Sequence, residues 1–364
     1  MTVTSVAQIL EELAPLEHAE DFDNVGLLVG DSAMEVSGIL VTLDTLESVV
    51  DEAIAKDCNL IVSFHPIIFN GLKKITGKNY VERTVLKAIQ NNIAIYAIHT
   101  ALDNSSNGVN AKICEVLGLG NTQILIPKKD TIRKLTTYIP SAEADNLKEK
   151  LFKAGAGNIG NYSNCSFALE GTGSYKAGAN SNPTIGEIGK THFEKETMIN
   201  VNYLTSSESN VLNALVKHHP YEEVAYEVYS LENQNQHIGM GMIGELKEAI
   251  SELSFLRHLK KTMNAQVVRH SVLRNKPVKK VAVLGGSGAF AIGAAKAAGA
   301  DVFVTADVKY HQFYEAENKM VIADIGHFET EQFTKTLLVD YLTKKIPNFA
   351  IRLSESITNP IKYF

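Results

Sequence analysis

Five side chains in this sequence are of the types that bind cations or move protons, and each follows an apolar run. His65 closes the first, in "IVSFHPIIFNG" (61–71). His99 and Asp103 follow the second, in "AIHTALDN" (97–104), where Asp103 is expected in the loop just beyond the strand. His327 and Glu331 follow the third, in "KMVIADIGHFETE" (319–331). On a helix beginning after Gly326, these last two would share one face, a turn apart. His65, Asp103, His327 and Glu331 would then converge from three separate strand ends. Mixed imidazole and carboxylate ligation suits zinc, iron or manganese better than copper(I) or calcium. Glu331 has two oxygens and could bridge two ions. Taken singly, each residue also has a purely structural explanation. A strand-end histidine can be a hydrogen-bonded core residue, and a His/Glu helix pair can be a solvated face. Asp103, beside Asn104 and two serines, could be an N-cap or turn residue.

The elements that must position these groups are legible. Six short runs rich in β-branched residues read as strands covered on both faces: 39–43, 60–64, 93–98, 280–284, 301–305 and 320–324. Helical patterns lie between them, as in "LESVVDEAIAKD" (46–57) and "VERTVLKAIQNN" (81–92). The alternation is that of a layered α/β domain. In a parallel α/β sheet the carboxyl ends of the strands line one crevice, where ligands bind. Residues 1–127 and 240–364 are assigned to this discontinuous metal-binding domain. Residues 128–239 have a different texture: a β-α-β-β-α-β order, the split βαβ or ferredoxin-like plan of an inserted α+β domain. The loop-rich stretch "GTGSYKAGANSNPTIGEIG" (171–189) falls within it, and "ENQNQHIGMGMIG" (232–244) reads as the return linker.

Composition narrows the partners. The chain of 364 residues is 45% hydrophobic and 21% charged, with a formal charge of −6 and no Lys/Arg-rich run. That argues against nucleic acid as the main partner. Cys58, Cys114 and Cys165 are odd in number and far apart, so no disulfide framework is expected. The start lacks a basic n-region, and no apolar run approaches the roughly 18 residues of a membrane span. The expectation is a cytoplasmic protein.

Three other features compete for attention. Gly286-x-Gly288-x-x-Ala291 follows a strand, and Asp307 lies 21 residues beyond Gly286. This is a dinucleotide fingerprint in its Ala variant, and it would make the protein an NAD-binding oxidoreductase. A tight strand-to-helix turn built of small residues explains the same glycines and is preferred. "KHHPYEE" (217–223) reads as a helix C-terminus and solvated turn before it reads as a metal cluster. Asp23, Asn24 and Gly26 read as a turn before a strand. Of the other histidines only His311, in "ADVKYHQF", falls near a strand end.

Six motifs together resemble one family: "DFDNVGLLVG" (21–30), "FHPIIFNGLKKI" (64–75), "AIHTALDN" (97–104), "LGGSG" (284–288), "GADVFVTADVKYH" (299–311) and "DIGHFETE" (324–331). The family is the GTP cyclohydrolase I type 2, or NGG-interacting-factor-three-like, family, and the resemblance runs in order along nearly the whole chain. "PTIGEIG" and "HHPYEEVAYEVYSL" resemble the PII/CutA-like domain inserted in its longer members.

The resemblance implies a dinuclear centre. His65, Asp103 and Glu331 would hold one divalent ion, zinc first, with iron or manganese as alternatives. His327, Glu331 and the residue before His65 would hold the second. The family usually has histidine at that last position; this chain has Phe64. A second ion would therefore be weak, missing, or completed by His99 or water. The resemblance also implies a homohexameric toroid of stacked trimers. Its activity would be that of a metal-dependent hydrolase, acting on a nucleotide or related heterocycle through metal-activated water. His99 would serve there in proton transfer or second-shell support. The alternative is a non-catalytic metal-binding regulatory ring whose insertion senses a small ligand, and Phe64 favours it.

Overall fold

Strands Ile39–Thr42, Leu60–Ser63 and Ala94–Ala97 are buried at every position, as are Val302–Ala306 and Val321–Asp324. Uniformly apolar strands are stable only where both faces are covered, which fixes a layered arrangement. The computed structural model describes residues 1–364. It divides into two compact units, Met1–Pro127 with Gln236–Phe364, and Lys128–Asn235.

The first unit distributes its strands over two sheets, where the sequence pattern suggests one crevice along one sheet. The five-stranded sheet has the order Gly26–Val29, Ala94–Ala97, Leu60–Ser63, Ile39–Thr42, Ile351–Leu353. The six-stranded sheet has the order Arg269–His270, Val321–Asp324, Val302–Ala306, Pro277–Ser287, Asn235–Ser251, Gly120–Lys128. In each, the parallel strands meet an antiparallel neighbour: Gly26–Val29 against Ala94–Ala97, and Arg269–His270 against Val321–Asp324. Those strands close one edge of each parallel set.

Alternation along the strands then builds the core. Val41, Val62 and Tyr96 from one sheet share a cluster with Val281, Val304 and Ala323 from the other. Helices Val3–Leu13, Val109–Leu117, Glu252–Thr262 and Thr334–Lys345 contribute to the same cluster. The alternate residues, such as Leu40 and Ile61, or Phe303 and Ile322, pack outward against separate helices. Both sheets are therefore covered on both faces, as uniformly apolar strands require.

Of the run expected as a return linker, only 232–234 connect two strands, and 235–244 are part of strand Asn235–Ser251. Its polar residues and glycines obscure the pattern. Gly239 and Gly241 have φ of 155° and 67°, and a Cβ on Gly239 would collide with the Ile126 carbonyl. Positions 236–239 thus belong to the first unit.

In the second unit, strands Ile132–Pro140, Phe167–Lys176, Thr191–Leu204 and Tyr226–Leu231 alternate with helices Ala144–Lys153 and Glu208–His218 in a β-α-β-β-α-β order. The sheet order is Phe167–Lys176, Thr191–Leu204, Ile132–Pro140, Tyr226–Leu231, with every pair antiparallel. This is the split βαβ topology. Leu135, Ile139, Ile199 and Val201 pack against Leu147, Leu151, Val211 and Leu215 of the helices. The first residues of the loop-rich stretch, up to Lys176, are strand. No helix is long and apolar enough to cross a membrane.

Candidate metal centre

His65 is placed by the five-stranded sheet. Backbone N–H groups of Phe64 and His65 donate to Thr42 and Leu43 carbonyls at 3.1 and 2.9 Å, extending the ladder past Ser63. Pro66 has no N–H to continue it. His327 is placed by the six-stranded sheet. After Val321–Asp324 the chain turns at Gly326, where φ is 98° and a Cβ would collide with Glu329 Oε2. Helix His327–Glu331 starts there. His65 and His327 thus come from different sheets and meet with ring centroids 5.5 Å apart.

Glu331 lies between them. Its Oε2 is 3.1 Å from His65 Nε2 and 3.2 Å from His327 Nε2. This oxygen is buried, and no hydrogen bond of good geometry reaches it. Ligand atoms of His65, His327 and Glu331 all lie within 4.8 Å of one another. Three donor atoms in contact, with an orphaned carboxylate oxygen among them, fit a divalent cation.

Each histidine is held from behind by a carboxylate. His65 Nδ1 donates to Asp44 Oδ1 at 2.8 Å, and His327 Nδ1 donates to Asp307 Oδ2 at 2.7 Å. A carboxylate only accepts, so Nδ1 carries a proton, and Nε2 is the atom that would ligate once a cation displaces its proton. Carboxylates placed in this way back metal-ligating histidines, where they fix ring orientation and raise ligand basicity. His99 repeats it: its Nδ1 donates to Asp23 Oδ1 at 2.9 Å, while Thr100 N–H donates to Asp23 Oδ2 at 3.0 Å.

The electrostatics favour a cation. Burial alone would lower the His65 pKa, but the bond to Asp44 and the adjacent Glu331 carboxylate hold it up at about 10. Burial works the same way on His327, where Glu331 and Asp307 prevail at about 9. Glu331 is held at about 2 by His327 and His65, although burial alone would raise it. Burial would also raise Asp23, yet bonds from His99 and Thr100 bring it to about 2.

Asp103 stands outside the close trio. It ends the short helix His99–Asp103, where a loop is expected, so His99 and Asp103 are one helical turn apart. Its Oδ1 is buried without a hydrogen-bond partner. Desolvation, then the nearby Glu331 charge, push its carboxyl well above the ordinary range. Asp103, His99, His327 and Glu331 line one cavity of about 220 Å³.

Phe64 is fully buried. Its ring lies 4.9 Å from that of His65 and meets the His99 ring edge-on at 5.4 Å. A hydrocarbon ring therefore occupies the place where the resemblance implies a ligand.

The glycine turn serves this centre. Gly286 has φ of 67°, and a Cβ there would collide with Glu331 Oε1 and crowd His327 Nε2 at 3.3 Å. Gly286 N–H donates to Thr330 Oγ1 at 2.9 Å. Asp307, the acid of the dinucleotide pattern, is engaged by His327 and by the Ser287 hydroxyl. Gly286 and Asp307 of the dinucleotide pattern are thus both engaged with the His327–Glu331 group.

Asp44 and Asp307 were not legible as parts of a cation site, since an acid just past a strand end is a weak signal, and Asp23 reads first as a turn residue before a strand. Within "KHHPYEE" both nitrogens of His219 are engaged by backbone, Nε2 donating to the Tyr138 carbonyl at 2.9 Å and Nδ1 accepting from Tyr221 N–H at 3.1 Å. His311 meets the Tyr310 ring edge-on at 5.1 Å and lies tilted 6.3 Å from the Tyr314 ring, and it is not among the three grouped ligand residues.

Comparison with known proteins points to one family. A match to Duf34/NIF3 (NGG1p interacting factor 3) covers residues 1–360. A Bacillus subtilis protein called GTP cyclohydrolase 1 type 2 homolog is 36% identical, over 98% of this chain and 97% of its own length. A Halalkalibacterium halodurans protein of the same name is 38% identical, over 89% of this chain and 87% of its own. The crystal structure of a Bacillus cereus protein related to NIF3 superimposes with a TM-score of 0.84 at 36% identity, covering 100% of this chain and 99% of that one.

Proposed function

The chain belongs to the Duf34/NIF3 family, and from that premise and the geometry of the centre we propose a divalent-metal-binding protein acting as a metal-dependent hydrolase on a nucleotide or related heterocycle. One observation carries the metal reading: two histidines from different sheets, each anchored through Nδ1 by an acid, direct Nε2 at one orphaned carboxylate oxygen. Zinc heads the candidate ions, with iron or manganese next. His65, His327 and Glu331 would hold the ion, with Asp103 as the fourth side chain turned to the same cavity.

A cation held there would supply Lewis acidity and make water a nucleophile near neutral pH. The chain's own groups would do the rest. Asp44 and Asp307 fix the tautomers of the two ligating histidines. His99, oriented by Asp23, presents its other nitrogen for a proton during hydrolysis. Phe64 and Phe69 back the His99 ring and keep that side apolar. The relatives' name suggests GTP as the first substrate to try. A homohexameric ring is part of the same proposal, and light scattering of the purified protein tests it.

A second reading has its own support in Phe64, which cannot ligate. It is a metal-binding regulatory protein whose PII/CutA-like second unit takes a small ligand in its cavity of about 680 Å³, lined by Tyr138, Tyr175, Glu196 and Tyr221. Metal analysis of protein purified without chelator, with GTP turnover on the same sample, separates the two. Turnover that rises with bound metal supports the hydrolase. Bound metal with no turnover of GTP or related nucleotides supports the regulatory reading, and no bound metal ends both.

A further inference from the structure

We infer that the C-terminal segment from Ser354 to Tyr363 is a positioning clasp for the metal centre, with Thr358 setting the His65 ligand through Asp44. The inference rests on the metal-binding reading above. It concerns what holds the two ligand-bearing elements in register.

The clasp is rooted firmly. Glu52, on helix Glu47–Ala55, accepts from Ser354 Oγ at 2.7 Å, Glu355 N at 2.8 Å, Ser356 N at 3.1 Å and Ser356 Oγ at 2.6 Å. Four donors on one carboxylate fix a stretch that has no regular secondary structure of its own. From this root the segment reaches both sides of the centre. On the His65 side, the buried Thr358 donates its hydroxyl to Asp44 Oδ2 at 2.7 Å. The other oxygen of Asp44 accepts from His65 Nδ1 at 2.8 Å. Thr358, Asp44 and His65 therefore form one chain, and Thr358 decides where the carboxylate points. On the His327 side, Asn359 Nδ2 reaches Glu329 Oε1 at 3.4 Å, within helix His327–Glu331. Tyr363 Oη would lie 3.3 Å from a Cβ at Gly326, the residue on which that helix turns.

The physical reason for a clasp is the division of the ligands between two sheets. His65 leaves one sheet and His327 the other, so nothing local fixes the spacing of their Nε2 atoms. A segment bonded to the acid behind one ligand and the helix bearing the other supplies that constraint. Ligand sites lose affinity when supporting groups allow small displacements.

The test is zinc affinity by competition with a chromophoric chelator, paired with the visible spectrum of the cobalt-substituted protein. Thr358→Val keeps the shape and removes the donor, whereas Thr358→Ser keeps the donor. Thr358→Val is expected to weaken zinc about three- to tenfold, less than loss of a direct ligand partner, and to change the cobalt bands. Thr358→Ser should stay within about twofold of the parent with parental bands, a rescue that a bulk folding effect would not produce. Asn359→Ala, loosening only the Glu329 end, should weaken zinc in the same direction, and it decides the matter if Thr358→Val does not fold. Parental zinc affinity and cobalt bands in the variants overturn the clasp alone. A parent protein that binds no zinc overturns the metal reading, and the clasp with it.

Discussion

His327 Nδ1 lies 2.7 Å from Asp307 Oδ2, on an acid that follows strand Val302–Ala306 and has the left-handed φ of 55°. A non-glycine residue in that region costs backbone energy, which the surrounding bonds must offset. The His327 proton and the Ser287 hydroxyl both converge on this carboxylate, so the conformation is held by what it does for the imidazole.

Asp307→Asn should therefore weaken metal about 10–100-fold while leaving the folded state intact, since the amide can donate where the histidine needs an acceptor. Asp44→Asn should act in the same way on His65. Isothermal titration with zinc reads the affinity, and circular dichroism checks the fold. Undiminished affinity in both variants would show that the acids are only structural partners of the histidines.

Glu331→Ala should strip metal more completely than any other single change, because both imidazoles face its oxygen. Phe64→His is the reverse experiment. Phe64 is fully buried and packed against the His65 and His99 rings, so an imidazole there would stand where a second ion would need a ligand. Elemental analysis should show the metal-to-protein ratio falling in the first variant and rising in the second. Equal ratios in parent and both variants would refute the placement of the centre.

Gly286→Ala should be doubly costly. The positive φ alone costs about 1–3 kcal/mol for a non-glycine residue, and the added methyl would press on Glu331 Oε1. Urea unfolding should show the loss of stability, and zinc titration a loss of binding. A Gly286→Ala protein with parental stability would mean that the turn relaxes freely.

Glu52 gives a pH dependence away from the metal. Burial alone would raise its pKa, but bonds from Lys56, Ser356 and Ser354 hold it near 2, against about 4.5 when free. The folded value is depressed, so the unfolded chain binds the proton more readily. The stabilisation is complete above the free value and disappears as pH falls through about 2. The gap in melting temperature between the parent and Glu52→Gln should be widest above pH about 5 and narrow steadily toward pH about 2. A gap that stays constant over that range would contradict the assignment.

How much of this was legible in the sequence follows from range. Apolar runs record burial residue by residue, so strands such as Ile39–Thr42 and Leu60–Ser63 stand out directly. The spacing of His327 and Glu331 is one helical turn, a local geometry, and Gly326 marks where that turn begins. The β-α-β-β-α-β order of residues 132–231 is likewise a succession of local patterns. Tertiary structure alone decided which acid backs which histidine. Asp44 and His65 are 21 residues apart, Asp23 and His99 76, and Thr358 and Asp44 314. No periodicity links such pairs. Their contacts depend on strands being divided between two sheets and on how those sheets face one another through the helices between them. An aspartate after a strand looks the same in sequence whether it closes a turn or holds an imidazole, because the difference lies in what the other sheet brings to it.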